Sequence, residues 1–163
     1  MNTVVLRDIA PEDNKILASI IKASLAEFNA AKPGTVYFDE STDCLAEVFN
    51  ETGSKYFVAT LAGEIIGGAG IYPTRNLPEG TCELVKVYLR PNARGQGVGK
   101  LLLAKCEEAA RELGYKKIYL ETMPELKVAV PMYERMGFQY LPAAMGESGH
   151  TGCDIWMLKQ LAT

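Results

Sequence analysis

Several patterns are scarce in this sequence, and each shortage removes a class of function. A single histidine, His150, stands among 163 residues, so a histidine-built metal centre has no basis. A Ser-His-Asp hydrolase would also need a G-x-S-x-G elbow, which does not occur. The four cysteines, Cys44, Cys82, Cys106 and Cys153, never reach the C-x-x-C spacing of thiolate metal sites and redox motifs. They are expected as reduced thiols, and no metal is expected. A formal net charge of -3 with no basic block gives no electrostatic hold on a phosphate backbone, so no nucleic-acid partner is expected. No window approaches the ~20 apolar residues of a membrane span. The first twenty residues carry Arg7, Asp8, Glu12, Asp13 and Lys15 where a secretory signal would be apolar. The expectation is a cytoplasmic protein with no membrane partner.

What is present suits one compact domain over residues 1–163: 48% apolar and 23% charged residues, with no repeat, low-complexity run or linker. Strands are expected at 3–9, 56–62, 65–72, 81–89, 117–121, 138–141 and 154–161, the second and third joined by a turn at Gly63. A first helix follows Pro11, with Ile16, Leu17, Ile20, Ile21, Leu25 and Phe28 on one buried face. Residues 32–40 read as a loop, after which Ser41 is placed to cap a short helix burying Leu45, Val48 and Phe49. A long amphipathic helix is expected over 97–113 through Leu101, Leu102, Ala104, Cys106, Ala109 and Leu113, stopped by Gly114. A last helix, 125–136, should be interrupted or kinked near Pro131 and stopped by Gly137. Gly67, Gly68 and Gly70, inside the third strand, read as sites of close backbone approach or a bulge.

The most informative stretch is Arg94-Gly95-Gln96-Gly97-Val98-Gly99-Lys100, between a strand and a helix. Glycines at a helix N-terminus expose unpaired N–H groups at the positive end of the dipole, and such a nest binds phosphate or pyrophosphate. A Walker A loop needs Ser or Thr after the lysine, but Leu101 follows Lys100. A dinucleotide fingerprint needs a third glycine where Lys100 stands, and an early position in the chain.

The remaining pattern, [QR]-x-x-G-x-[GA], is met by Arg94, Gly97 and Gly99, and resembles the coenzyme A signature of the GNAT superfamily of N-acetyltransferases. Two flanking segments extend the resemblance over essentially the whole chain. Residues 83–91 look like the family's fourth strand, and 128–138 like its A-x-x-x-Y-x-x-x-G-F segment. The resemblance implies an α/β fold of α+β type, with a mixed, splayed sheet of about seven strands flanked by about four helices. It implies acetyl-CoA as cosubstrate, with the pyrophosphate on the backbone of Arg94, Gly95, Gln96, Gly97, Val98, Gly99 and Lys100, and the pantetheine arm beside Val87, Tyr88 and Leu89.

Acetyl transfer to a protonated amine needs a base, and departure of the thiolate needs a proton donor. The resemblance places these roles on Glu83 and Tyr133. Their plain structural alternatives are, for Glu83, a surface carboxylate or a salt bridge with Lys86 and, for Tyr133, an aromatic packed in the core. Tyr37, Phe38, Tyr72 and Arg75 lie on loops that would flank the acceptor. His150 is first a loop residue and second an acceptor-pocket residue. Glu121 and Thr122, at a strand end near the cleft, read equally well as plain strand-end polarity. The resemblance implies a small-molecule or peptide amine as acceptor, and a homodimer is compatible with the pattern. A non-catalytic acyl-CoA sensor and an enzyme using a longer acyl donor remain as alternatives.

Overall fold

The computed structural model describes residues 3–33, 40–126, 129–149 and 152–161. Ala62 and Gly63 take φ of 53° and 82°, the pair of left-handed residues that lets a tight hairpin follow strand twist. They join β2 (Lys55–Leu61) to β3 (Glu64–Tyr72). β1 (Val4–Asp8), β4 (Thr81–Leu89), β5 (Lys117–Thr122), β6 (Gln139–Leu141) and β7 (Ile155–Gln160) complete the sheet, in the order β1-β2-β3-β4-β5-β7-β6. All neighbours are antiparallel except β4 and β5. A parallel pair needs a crossover, and α3 (Val98–Glu112) supplies it.

Helices cover both faces. On one side α1 (Asn14–Glu27) and α2 (Leu45–Val48) bury Leu17, Ile20, Ile21, Leu25 and Leu45 against Tyr56, Val58 and Ile65. On the other, α3 buries Leu102, Leu103, Cys106 and Ala110 against Phe57, Ile71, Leu84 and Leu120, with Tyr133 of α4 (Ala129–Arg135) completing that core. Among the described residues the fold is therefore a mixed α/β arrangement of seven strands and four helices.

The local expectations needed four adjustments. The buried stripe of α3 runs through Val98, Leu102, Leu103, Cys106, Ala109 and Ala110. Leu101 and Ala104 fall outside its arc and are exposed, as is Leu113 past the helix end. Ile16 of α1 is likewise exposed. The N-cap of α2 is Cys44, because Ser41 belongs to a 3-10 turn over Glu40–Asp43 whose carbonyl accepts the Cys44 N–H. Pro131 does not break α4. It sits in the first turn, where helical N–H groups have no intrahelical acceptor.

Asp13 anchors the start of α1. It accepts the Ala10 N–H at 2.8 Å and takes both Arg7 guanidinium nitrogens, at 2.7 and 2.9 Å. The Arg7 hydrogen bonds hold its carboxyl below the ordinary range, with the Ala10 N–H adding to the effect, while burial pushes the other way.

One irregularity shapes the site. Register between β3 and β4 passes from Gly68↔Tyr88 to Gly70↔Val85, so Lys86 and Val87 together oppose Ala69. Lys86 takes φ of 54°, a left-handed conformation that costs an L-residue about 1 kcal/mol. Tyr56, buried in β2, reaches across β3 and donates its hydroxyl to the Lys86 carbonyl at 2.7 Å. Its ring fills the space above Gly68 and Gly70: a Cβ there would stand 2.6 and 2.5 Å from Tyr56 ring carbons. The glycines in β3 therefore make room for the tyrosine that holds the bulge.

Tyr56→Phe is expected to lower stability by about 1–3 kcal/mol, because a buried carbonyl loses its donor. Gly70→Ala, which also meets the Lys55 carbonyl at 2.6 Å, should cost about as much through overpacking. Denaturant unfolding of the two variants checks both.

Candidate active site

Pairing between β4 and β5 covers only Thr81, Cys82 and Glu83 against Lys117, Ile118 and Tyr119. Beyond Glu83 the bulge turns β4 aside, the strands part, and a cleft of about 450 Å³ opens between them. Backbone groups along a strand edge that loses its neighbour are available to a ligand.

Gly95, Gly97, Gly99 and Lys100 border the outer end of the cleft. Gly95 and Gly97 take φ of 75° and 80°, and Gly97 is the N-cap of α3. The helix ladder begins with the Leu101 N–H on the Gly97 carbonyl at 3.1 Å. Among the described residues, the N–H groups of Gly95, Gln96, Gly97, Val98, Gly99 and Lys100 have no acceptor. The Arg94 N–H differs, being bonded to the Pro91 carbonyl at 3.3 Å. Its guanidinium braces the loop against α1, donating to Glu27 at 2.7 Å, to Ser24 Oγ at 3.3 Å and to the Leu89 carbonyl at 3.1 Å, above the Phe28 ring. Gln96 turns its amide back to the Asn92 carbonyl, and the Val98 side chain is in the core. Neither side chain is offered to the cleft.

Val87 and Leu89 pack toward the α3 core and Tyr88 toward the α1 core, and all three border the cleft. Burial pushes the Tyr88 hydroxyl far above its usual value, so it stays neutral. Tyr133 lies on the opposite wall. The Gly137 N–H bonds to the Glu134 carbonyl and the Phe138 N–H to the Tyr133 carbonyl, at 3.1 and 3.0 Å. With Gly137 at φ of 94°, this is a Schellman stop. Its hydrophobic contact is Phe138 edge-on to Tyr133, with centroids 5.8 Å apart. The G-F pair thus seats the tyrosine ring. Burial also drives the Tyr133 hydroxyl far above its ordinary value.

The inner end carries two carboxylates, Glu83 and Glu121, with the buried Lys86 beside them. Glu83 is 2% exposed and accepts the Thr74 hydroxyl at 2.5 Å. Glu121 accepts the Tyr119 hydroxyl at 2.6 Å and the Ser148 hydroxyl, while Tyr119 receives the Met145 N–H at 3.0 Å. The strand-end carboxylate of Glu121 therefore ties the loop before β7 to β5. Thr74, Tyr119, Ser148 and Cys153 carried no sequence signal: Thr74, Ser148 and Cys153 sit on irregular segments, and the Met145–Tyr119 and Ser148–Glu121 bonds join residues 26 and 27 positions apart.

Of the acceptor-side candidates, Tyr72 packs edge-on against Phe49 at 5.7 Å, and the Arg75 side chain is 84% exposed, 3.9 Å from Glu147. Neither borders the cleft as described. Tyr37, Phe38 and His150 lie outside the described residues. Among the described residues, no group of three or more His, Cys, Asp or Glu could hold a metal ion, and no helix is long and apolar enough to cross a membrane.

Known proteins share the sequence pattern and the fold. A sequence model described as the acetyltransferase (GNAT) family matches residues 17–138. The uncharacterized N-acetyltransferase YjgM of Escherichia coli (strain K12) is 38% identical over 158 residues, 96% of this chain and 95% of that protein. An acetyltransferase of the GNAT family from Staphylococcus aureus Mu50 superposes with a TM-score of 0.85 at 19% identity, over 98% of this chain and all of that one. YncA of Salmonella typhimurium, solved with acetyl-CoA, superposes with a TM-score of 0.75 at 20% identity, over 99% of this chain and 95% of that one.

Cys153 is the one cysteine bordering the cleft among the described residues. Burial, and after it Glu121 and Glu83, push its thiol up to about 12. Since the thiolate is the nucleophile, Cys153 should resist iodoacetamide at pH 8 while exposed Cys44 is alkylated, and its rate should climb steadily with pH toward 11. Peptide mass spectrometry after timed labelling reads both.

Proposed function

The chain belongs to the GNAT family of acetyltransferases, and on that premise we propose that it passes the acetyl group of acetyl-CoA directly to a primary amine held at the inner end of the cleft. The observation that carries this reading is the polarity of the cleft itself. Unpaired amides and Lys100 stand at the outer end, the two carboxylates Glu83 and Glu121 outnumber the one buried cation, Lys86, at the inner end, and an apolar passage through Val87, Leu89 and Met132 joins them. A diphosphate suits the first end, an ammonium group the second, and the thioester arm the passage between.

In this mechanism the pyrophosphate rests on the N–H groups of residues 95–100 and the pantetheine arm runs beside Val87, Tyr88 and Leu89. Glu83 accepts a proton from the ammonium, directly or through water. The neutral nitrogen attacks the thioester carbonyl carbon, and the carbon–sulfur bond breaks as the tetrahedral intermediate collapses. Tyr133 donates its proton to the departing sulfur and is restored by the second proton that nitrogen sheds on becoming an amide. Of the two protons lost by the ammonium, one ends on coenzyme A and the other leaves through Glu83 to solvent. A hydroxyl kept neutral by burial is suited to donation throughout the working pH range. Direct transfer is favoured because the cleft cysteine is held as a poor nucleophile.

Tyr133→Phe is expected to lower kcat at least about a hundredfold while the acetyl-CoA Kd stays within about twofold. Glu83→Gln should lose rate similarly and remove the acid limb of the kcat/KM profile. These are measured by release of free thiol across a panel of amines. Acetyl-CoA binding without thiol release from any amine would favour a sensor over an enzyme.

Gly97→Asp sets a side chain at φ of 80° and a negative charge at the diphosphate end. Loss of acetyl-CoA binding in calorimetry is the expected outcome, and retained affinity would contradict the assignment of the loop.

A further inference from the structure

Among the described residues, the cleft wall carries a fully buried threonine hydroxyl with no partner inside the chain. Thr122, the last residue of β5, is 3% exposed, and its Oγ1 is buried with no hydrogen bond. A buried hydroxyl in that state lowers stability. Valine has the same shape, suits a strand equally well and would avoid the loss. The Thr81 hydroxyl is also unpartnered, but that residue does not border the cleft. Position therefore distinguishes the two.

Pairing of β5 with β4 ends at Tyr119, so Thr122 stands three residues into the parted segment, along the cleft from Leu120 and with Ala129 and Tyr133 on the facing helix. Strand alternation puts its side chain on the face of Ile118 and Leu120, the face that packs with α3 and Tyr133. The main chain is held on the other edge: Thr122 pairs with Ile155, and its carbonyl accepts the Asp154 N–H at 3.2 Å. The side chain keeps its χ1 choice, and one staggered step exchanges hydroxyl and methyl.

We propose that Thr122 is a positioning residue for the cosubstrate: when acetyl-CoA enters, its hydroxyl turns to the cleft and hydrogen-bonds the pantetheine amide nearest the thioester. This rests on the cleft being an acyl-CoA site. A neutral amide suits the position because it offers both a donor and an acceptor to a hydroxyl already withdrawn from water. The bond fixes the last flexible stretch of the arm and holds the thioester at a set depth between Tyr133 and the acidic end, which is how a contact remote from the reacting atoms affects rate.

Calorimetric titration of acetyl-CoA and of CoA into wild type, Thr122→Val and Thr122→Ser, together with thermal unfolding of the ligand-free proteins, tests the proposal. Ligand-free Thr122→Val should unfold a few degrees above wild type yet bind acetyl-CoA about five- to tenfold more weakly. Thr122→Ser should bind within about twofold of wild type. Wild-type affinity in Thr122→Val overturns the proposal. So does a lower ligand-free unfolding temperature, which would reveal a partner for the hydroxyl inside the protein. Failure of the acyl-CoA reading is distinguishable: wild type and both variants would then bind neither ligand, and the proposal would fall with it.

Discussion

The bulge at Lys86 is the constraint on which the site depends. A regular β4 would continue its pairing with β5, and the cleft would close into ordinary sheet. Placing two residues opposite one bends the strand and strengthens its twist, and here the disturbance begins three residues after the last β4–β5 pair. The conformation is strained for lysine, so something must hold it. Tyr56 does so from two strands away, and Gly68 and Gly70 exist at that spacing because its ring passes over them. The opening of the cleft is thus decided on β2 and β3, outside its own walls.

Two glycine devices then give the parted strands a polarity. At the outer end Gly95 and Gly97 adopt left-handed conformations that bring successive amides to the start of α3 without engaging them. At the side wall Gly137 ends α4 and folds Phe138 back onto Tyr133. One device leaves hydrogen-bond donors open and the other fixes an aromatic ring in place. Both use the same property of glycine, tolerance of positive φ, for different ends.

The inner end is organised by hydrogen bonds between distant segments. Glu121 joins β5 to the loop before β7 through Ser148 and Tyr119, and the Arg75 carbonyl takes the Glu147 N–H at 2.7 Å. These ties shape one side of the inner end of the cleft. Exposed ion pairs elsewhere, such as Lys22 with Asp43, contribute little because water screens them.

Element types and their order were legible in the residues because periodicity and turn chemistry are local. Alternating strands, the Gly63 hairpin turn and the Gly114 and Gly137 stops all appear where short-range rules put them. The coenzyme A signature and the A-x-x-x-Y-x-x-x-G-F segment are contiguous, so a family could be recognised from them. Helix faces were read less well: Leu101 and Ile16 look apolar in sequence, but which arc of a helix is buried depends on what it meets. The role of Gly68 and Gly70 needed Tyr56, twelve and fourteen residues away, and the unpaired Thr122 hydroxyl could be found only by accounting for every neighbour. By itself the sequence determined the succession of elements, the glycine loop and the chemistry its residues can perform. The tertiary structure decided where β4 and β5 separate and which side chains face each other across the gap, because both follow from contacts between segments far apart in the chain.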